Sequence, residues 1–262
     1  MAISLKGRNF FALEDFTPEE IRYLLDLAIQ LKKESKEHIK HQDYIGEDFL
    51  LLFEMNSTRT RCAFETSAND LGMGTTFLSN SHFGNTETIK DSMRVFSEMY
   101  SAIGYRGAKH STLLEMAKDS TIPIINGYTD HQHPTQMLAD AMTLDEVWGR
   151  ENYKGKTLCF IGRGGAVNSF SYGVMCAMLG MNFTYITSYM EMDEALEGLT
   201  AAEKATFRKF VPEGVVSPNW DTKMDARKRK IVEELFAKYS PECKFIETDD
   251  INAIKGVDVI TT

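Results

Sequence analysis

The sequence has 262 residues, 43% of them hydrophobic, which is long enough for one large α/β domain or for two smaller ones, and we expect two. The 29 basic and 38 acidic residues give a net charge of -9, which argues against a nucleic acid or an acidic membrane surface as the main partner, so an anion would need a local site. Because no apolar run approaches the roughly 18 to 20 residues that span a bilayer, and the amino terminus lacks the apolar stretch of a signal peptide, we expect a cytoplasmic protein that does not enter a membrane.

The first predicted element is a helix that begins after Thr17. Thr17 is a good capping residue, Pro18 suits the first helical position and Glu20 the third. Apolar residues then recur at helical spacing over residues 21–31. The pattern predicts an amphipathic helix at the start of the fold.

Four short apolar runs alternate with helical patterns after this helix. They cover residues 49–53, 75–78, 102–105 and 123–125. This order is typical of a parallel sheet with crossover helices. A long helix opened by Pro134 follows and reaches Trp148. We therefore predict a first domain that spans residues 1–148.

A polar, glycine-containing stretch at residues 149–156 has the composition of a domain boundary. Beyond it, strands are predicted at residues 157–161, 182–186, 244–247 and 257–261, and helices near 171–179, 201–210 and 226–239. The sequence thus predicts an α/β fold of two doubly wound parallel-sheet domains joined by the long helix, the second covering residues 149–262. Its last run reads as a buried strand that a following helix would normally cover, so we expect this domain to be truncated.

The cysteines are spread along the chain without the close pairs that bind zinc or form disulfide frameworks. They are Cys62, Cys159, Cys176 and Cys243. Their spacing predicts reduced thiols in the protein core.

The strand at residues 49–53 is followed by a polar turn and a helical pattern. The turn contains Ser57, Thr58, Arg59 and Thr60. Hydroxyl and N–H groups at a helix N-terminus, where the helix dipole favours negative charge, suit a phosphate when an arginine adds its forked cation. The alternative is that the hydroxyl groups only cap the helix and the arginines are solvated.

Two later segments should lie at the same carboxyl edge of the sheet, where open α/β sheets bind ligands. The third strand leads to Arg106, and the fourth leads to His133, with Gln136 in the first turn of the long helix. A neutral imidazole and an amide could hold a small planar group that has a carbonyl and an NH2. The alternatives are a surface salt bridge for Arg106 and a helix cap for His133. Since no cysteine or glutamate stands at ligand spacing, we expect no metal at the His131 and His133 pair.

Three short runs occur in a fixed order along the first half of the chain. They are Ser57-Thr58-Arg59-Thr60-Arg61, Tyr105-Arg106-Gly107 and His133-Pro134-Thr135-Gln136. In this order they resemble the aspartate and ornithine carbamoyltransferase family. The ornithine branch is the closer match, because residues 5–8, 15–21, 61–65 and 88–95 resemble it as well. The resemblance implies a carbamoyltransferase that moves the carbamoyl group of carbamoyl phosphate to an amine, without a metal or organic cofactor.

The resemblance also implies a role for each run. The phosphate-binding residues would be Ser57, Thr58, Arg59 and Thr60, and those that engage the carbamoyl group and bridging oxygens would be Arg106, His133 and Gln136. When a neutral amine attacks the carbamoyl carbon, charge builds on the carbonyl oxygen, and preorganised donors stabilise that charge as phosphate leaves. The donors expected to act in catalysis are Arg106, His133 and Thr60.

In relatives a loop from a neighbouring subunit completes this site, and residues 81–87 match it. The resemblance therefore implies a homotrimer or a multiple of one. His82 occupies the position where ornithine-type members usually carry glutamine. It either contacts carbamoyl phosphate in the neighbouring subunit or is a solvated loop residue.

The segment after the strand at residues 157–161 departs from the family pattern. Where the family usually has an aspartate and then two asparagines, this chain has Arg163 and then Ala166 and Val167. Asn168 could contact the amine only if the loop is rebuilt, and the longer stretch at residues 188–221 would reshape the amine pocket. Ornithine is thus the default acceptor, with putrescine, aspartate and oxamate as alternatives.

Two other functions fit parts of the sequence. The glycine-rich turn that begins at Gly162 invites a dinucleotide-binding interpretation, but Val167 stands where the third glycine of that fingerprint is needed for close helix packing. A carbamoyl-phosphate-binding paralogue without catalysis is the other alternative, because the amine-binding loop is altered.

Overall fold

The helix predicted after Thr17 is present and begins with the expected cap. The Thr17 hydroxyl oxygen accepts the Glu20 N–H at 3.2 Å, and the Glu20 carboxylate accepts the Thr17 N–H at 2.9 Å. Together they satisfy two N–H groups that would otherwise lack acceptors at the helix start. Helix α1 then runs over Pro18–Lys36.

The computed structural model of the protein describes residues 3–162, 166–187, 200 and 223–262. The chain divides into two compact units, Met1–Tyr153 and Lys154–Thr262. The strands of the first unit are β1 (Asp48–Phe53), β2 (Gly74–Leu78), β3 (Ala102–Arg106) and β4 (Ile124–Tyr128). Its further helices are α2 (Arg59–Asp70), α3 (Ile89–Met99), α4 (His110–Asp119) and α5 (Pro134–Trp148), and a 3-10 turn covers Leu13–Asp15.

The four strands of the first unit form a parallel sheet in the order β2-β1-β3-β4. Side chains of β1 alternate between its two faces, as the period of a strand requires. Leu50 and Leu52 belong to a buried cluster with α3 and α4, whereas Leu51 and Phe53 belong to a cluster with α2. Both faces of the sheet are therefore covered by helices.

The residues before α1 run along the outer edge of β4. The Phe10 N–H donates to the Ile124 carbonyl at 2.9 Å, and the Phe10 carbonyl accepts the Asn126 N–H at 2.8 Å. The Asn9 side chain adds a bond from the Ile124 N–H at 2.9 Å. This pairing covers the edge of the sheet and fixes where the following turn, Leu13–Asp15, can lie.

The second unit has a parallel sheet in the order β7-β6-β5-β8. Its strands are β5 (Thr157–Gly162), β6 (Asn182–Thr187), β7 (Phe245–Thr248) and β8 (Val259–Thr261), and its described helices are α6 (Val167–Leu179) and α7 (Ala226–Tyr239). A side-chain carbon at Gly173 of α6 would lie 3.0 Å from Val232 of α7, so the glycine permits their close approach.

All eight predicted strands are present, and the α/β fold with two parallel sheets is confirmed. The largest difference is in β4, which continues to Tyr128. Asn126, Gly127 and Tyr128 thus lie in a strand rather than in a loop.

Two predictions of burial were wrong. β8 is an edge strand that pairs with β5, and Ile260 is 53% exposed, so this run is not a buried strand. Cys62 is exposed as well. It lies two positions before Phe64, which packs toward the sheet, and two positions turn a helix by about 200° to the opposite face.

Several predictions concern residues outside the described ranges. These are the helix at residues 201–210, the irregular stretch at 188–221 and the glycine-rich turn at 163–165. Among the helices that the structure does describe, none is long and apolar enough to cross a membrane.

Candidate active site at the carboxyl edge of the first sheet

The order of the first sheet creates a switch point between β1 and β3. The chain leaves β1 toward β2 on one side and returns to β3 on the other. Phe53, the last residue of β1, is paired with Arg106, the last residue of β3. In open α/β sheets the crevice beyond such a pair of strand ends is where ligands bind.

Helix α2 follows β1, so its N-terminus lies at this edge of the sheet. Thr58 is the N-cap residue, and its carbonyl accepts the first helical bond, from the Cys62 N–H at 3.0 Å. Within the described residues the Thr58 side chain makes no capping hydrogen bond, so the sequence-based alternative of a simple cap does not hold for it. The first N–H groups of a helix lack helical acceptors, and α2 begins at Arg59, shortly after β1 ends at Phe53.

Two arginines in the first turn of α2 have different surroundings. The Arg61 guanidinium lies 3.5 Å from the centroid of the Phe77 ring and donates to the Glu65 carboxylate at 3.0 Å. The Arg59 side chain is exposed and forms no ion pair with any residue that the structure describes. Arg61 is thus engaged by the protein, whereas the charge of Arg59 is available to a ligand.

Arg106 is held at the end of β3 by two contacts. Its Nη1 donates to the Gly127 carbonyl at 3.2 Å, and its guanidinium carbon lies 4.6 Å from the centroid of the Tyr128 ring. Its Nε is buried and has no hydrogen-bond partner among the described residues. Burial lowers the pKa of Arg106, although an arginine remains cationic. The surface salt bridge considered for this residue is therefore not what the structure shows.

His133 is the N-cap residue of α5 and lies against Tyr128, with ring centroids 5.5 Å apart and ring planes at 89°. Burial, followed by the nearby positive charge of Arg106, lowers the pKa of His133 to about 4. The imidazole is therefore neutral at pH 7. Its Nδ1 lies 3.3 Å from the Thr135 hydroxyl oxygen.

Gly127 brings the first turn of α2 against β4. A side-chain carbon at this position would lie 2.9 Å from a ring carbon of Phe64, 3.2 Å from the Tyr105 carbonyl and 3.5 Å from the Thr60 methyl carbon. Because the Gly127 carbonyl also accepts the bond from Arg106, Thr60 and Arg106 meet at the same residue. The helix N-terminus and the end of β3 therefore converge.

Of the remaining predicted residues, Gln136 and His82 belong to the first unit and make other contacts. The Gln136 side chain is exposed and donates to Asp140 at 3.0 Å, one turn further along α5. His82 lies on its own loop with 73% of its side chain exposed, 3.9 Å from Glu87. Asn168 is in the first turn of α6, in the second unit. His131 and His133 engage different groups, since His131 contacts Glu14 at 2.6 Å.

The sequence analysis missed one residue of the site and gave no reason for another. One is Tyr128, whose ring contacts both Arg106 and His133. The other is Gly107, where a side-chain carbon would lie 2.5 Å from a Glu54 carboxylate oxygen, so that only glycine fits beside the bonded pair Tyr105 and Glu54. An aromatic residue at the end of a strand and a glycine directly after one carry little signal of their own in a sequence.

Comparison with known proteins gives consistent matches. A family profile described as "Aspartate/ornithine carbamoyltransferase, carbamoyl-P binding domain" matches residues 8–146. An ornithine carbamoyltransferase of Caldanaerobacter subterraneus is 45% identical over 185 residues, 70% of this chain and 58% of that protein. One from Pseudothermotoga lettingae is 40% identical over 223 residues, 78% of this chain and 71% of that protein. The solved ornithine carbamoyltransferase of Pyrococcus furiosus has a TM-score of 0.81 at 30% identity, with 99% of this chain and 72% of that chain covered.

A doubly wound sheet that presents a helix N-terminus and a cation at its switch point is typical of α/β proteins that bind phosphorylated small molecules. The matches place the chain more narrowly, and it belongs to the aspartate/ornithine carbamoyltransferase family. It spans 58% of the length of the Caldanaerobacter relative.

Proposed function

We propose that the protein is a carbamoyltransferase that moves the carbamoyl group of carbamoyl phosphate to ornithine, giving citrulline and phosphate. The proposal is carried by one observation: Thr60, Arg106 and a neutral His133 lie at the same edge of the first sheet. The relatives reported above are ornithine carbamoyltransferases by name, which supports this donor and this acceptor.

The phosphate group would bind at the N-terminus of α2. N–H groups of the first turn and the hydroxyl groups of Ser57, Thr58 and Thr60 would donate to its oxygens, with the helix dipole favouring the negative charge. Arg59 would add a charge-assisted, two-pronged contact. The exposure of Arg59 and its lack of an ion pair within the described residues support this assignment.

The carbamoyl group would lie over Arg106 and His133. In the reaction a C–N bond forms, the C–O bond to phosphate breaks, and the amine loses one proton. Charge builds on the carbonyl oxygen in the transition state, and the fixed N–H donors of Arg106 and His133, with the Thr60 hydroxyl, would stabilise it. The Gln136 amide nitrogen donates to Asp140, and its side-chain oxygen would have to turn toward the carbamoyl group to accept an N–H from the NH2. The chemistry requires no metal or organic cofactor.

The acceptor would bind at the carboxyl edge of the second sheet, whose switch point lies between β5 and β8. Asn168, in the first turn of the helix after β5, is the residue proposed to contact the amine. Ornithine is preferred on the names of the relatives, while putrescine, aspartate and oxamate are the acceptors to compare with it.

We further propose that the functional form is a homotrimer or a multiple of one, in the cytoplasm, and that His82 of one subunit contacts carbamoyl phosphate bound to the next. The exposure of His82 on its loop supports a role between subunits. Domain 1–148 would bind carbamoyl phosphate and domain 149–262 the amine.

The test is a product assay on the purified chain with carbamoyl phosphate and each of the four acceptors, together with thermal unfolding in the presence of carbamoyl phosphate or NAD. We expect stabilisation by carbamoyl phosphate and formation of citrulline from ornithine. Stabilisation by NAD alone would contradict the proposal. Stabilisation by carbamoyl phosphate without product from any acceptor would instead favour a binding protein without catalysis, which the Ala166 and Val167 substitutions in the amine loop also suit.

A further inference from the structure

The loop between β4 and α5, residues 129–132, is held by polar side chains, of which Thr129 and Gln132 are buried. Asn126 and Gln132 are both fully buried. The Asn126 amide nitrogen donates to the Gln132 carbonyl at 3.1 Å and to the Phe11 carbonyl at 2.7 Å, and the Thr129 N–H donates to the Gln132 carbonyl at 3.2 Å. The peptide unit that leads into His133 is therefore fixed by two hydrogen bonds on its carbonyl.

Glu14, from the turn before α1, binds this loop through both of its carboxylate oxygens. One oxygen lies 2.6 Å from His131 Nε2, and the other accepts the Gln132 amide N–H at 2.7 Å. The Gln132 side-chain oxygen in turn accepts the Leu13 N–H at 2.7 Å. Two successive loop residues are thus fastened to a segment about 118 positions earlier in the chain.

The segment that carries Glu14 is also anchored outside the loop. It is paired with β4 through Phe10, which bonds to Ile124 and Asn126. The carboxylate therefore projects from a backbone that the sheet itself fixes. Such an independent anchor can set the position of a loop, because moving the loop would break bonds to a rigid reference.

Helix α4 fixes the loop from the other side. The His110 N–H donates to Asp130 at 2.7 Å, and its ring nitrogen lies 3.1 Å from the Thr129 hydroxyl oxygen. The rings of His110 and His131 lie against each other, with centroids 4.6 Å apart. Each residue of the loop therefore contacts either α4 or the segment before α1.

We propose that Glu14 is a positioning residue for the carbamoyl end of the active site: through Gln132 and His131 it fixes the peptide that carries His133. This inference rests on the proposed function. Glu14 does not itself touch the substrate. Misplacement of a catalytic donor by about 1 Å is enough to impair catalysis strongly, so a group that fixes the donor backbone acts on the reaction through geometry.

The structure separates this effect from phosphate binding. The phosphate would be held by α2, which follows β1, whereas His133 follows the loop after β4. Loss of Glu14 should therefore weaken ligands that have a carbamoyl group and leave inorganic phosphate nearly unaffected. A purely structural role would weaken both ligands in parallel with stability.

The experiment measures, by isothermal titration calorimetry, the affinities of the protein for inorganic phosphate and for phosphonoacetamide. In phosphonoacetamide a methylene group replaces the bridging oxygen of carbamoyl phosphate. For Glu14→Ala we expect about tenfold weaker binding of phosphonoacetamide and less than about twofold change for phosphate, since the buried Gln132 and the partly buried His131 lose their bonds to the carboxylate. Glu14→Gln should restore most of the affinity, because its amide oxygen can still accept from Gln132. If Glu14→Ala does not fold, Glu14→Gln still tests the inference, since its ratio of the two affinities should stay near that of the unmodified chain.

The control is Glu20→Ala, which removes the carboxylate that accepts the Thr17 N–H at the start of α1 and lowers stability; Glu20 does not contact the loop. It should leave the ratio of the two affinities unchanged. An equal effect on both ligands in Glu14→Ala, no effect on either, or a shifted ratio in Glu20→Ala would overturn the inference. Failure of the unmodified chain to bind either ligand would overturn the proposed function, and the inference with it.

Discussion

His133 lies close enough to Arg106 for the guanidinium charge to lower the pKa of its imidazole, in addition to the larger effect of burial. Both side chains also contact the ring of Tyr128. The result is a cation and a neutral donor side by side, where two cations would repel each other. Such a pair can bind a polar, uncharged group beside an anion.

Arg59→Ala should weaken carbamoyl phosphate binding about 10- to 100-fold, because a charge-assisted contact to phosphate is lost. Isothermal calorimetry measures the affinity. Arg94→Ala is the matched control, because Arg94 lies on α3 and pairs with Asp119. Equal affinities in the two variants would contradict the assignment of Arg59 to the phosphate.

His133→Asn should lower kcat about 100-fold and change the dissociation constant of carbamoyl phosphate much less, because the lost donor acts mainly on charge that develops in the transition state. Steady-state kinetics and a separate binding measurement distinguish the two effects. A variant that lost affinity while keeping its turnover at saturation would show that His133 serves binding instead.

The protein should lose stability as the pH is lowered, because of His133. Its folded pKa is about 4 against an ordinary value near 6.5. Above pH 6.5 the imidazole is neutral in both states, but between pH 6.5 and 4 the unfolded chain binds a proton that the folded chain does not. The free energy of unfolding should therefore drop by roughly 3 kcal/mol across this window. Urea unfolding of the unmodified chain and His133→Asn at pH 7 and pH 4.5 measures the difference.

The variant should show a shallower pH dependence than the unmodified chain. His38→Asn, at an exposed histidine, is the control and should retain the full slope. Parallel slopes for all three proteins would mean that His133 titrates normally in the folded protein.

Gly127→Ala should disturb the site through packing. The added methyl would lie 2.9 Å from Phe64 and 3.2 Å from the Tyr105 carbonyl, so α2 must move away from β4. We expect a loss of about 1–3 kcal/mol in stability, typical of overpacking, together with weaker carbamoyl phosphate binding as Thr60 shifts. Thermal unfolding and calorimetry measure the two effects.

Gly173→Ala is the comparison, since it crowds Val232 in the second unit by a similar amount. It should lose stability without losing affinity for carbamoyl phosphate. If both variants lost affinity to the same extent, the close contact at Gly127 would have no special connection with the site.

The strands were predictable because they are continuous apolar runs, which is typical of parallel sheets covered on both faces. The end of β4 could not be predicted in this way. Asn126 and Gly127 disfavour strands by their intrinsic preferences, and the strand forms there because the buried Asn126 side chain finds acceptors at Phe11 and Gln132. Those partners are distant in sequence, so local pattern gives no sign of them.

The residues of the site also divide into those that could be predicted from the sequence and those that could not. Thr60, Arg106 and His133 could be proposed because each stands just beyond a predicted strand, and topology brings strand ends together. Tyr128 and Glu14 could not. Nothing in the sequence distinguishes Tyr128 from other aromatic residues, and its role follows only from the contact of its ring with Arg106. Glu14 contacts the loop because the chain before α1 pairs with β4, which is distant in sequence.

The neutral state of His133 also bears on how the proposed reaction ends. A donor without net charge stabilises the growing dipole of a carbonyl, but it adds little long-range attraction for the phosphate dianion that remains. An imidazolium in the same place would hold that product more tightly. An uncharged His133 therefore favours release of the product phosphate. Electrostatic binding of carbamoyl phosphate would then depend mainly on the N-terminus of α2 and on Arg59.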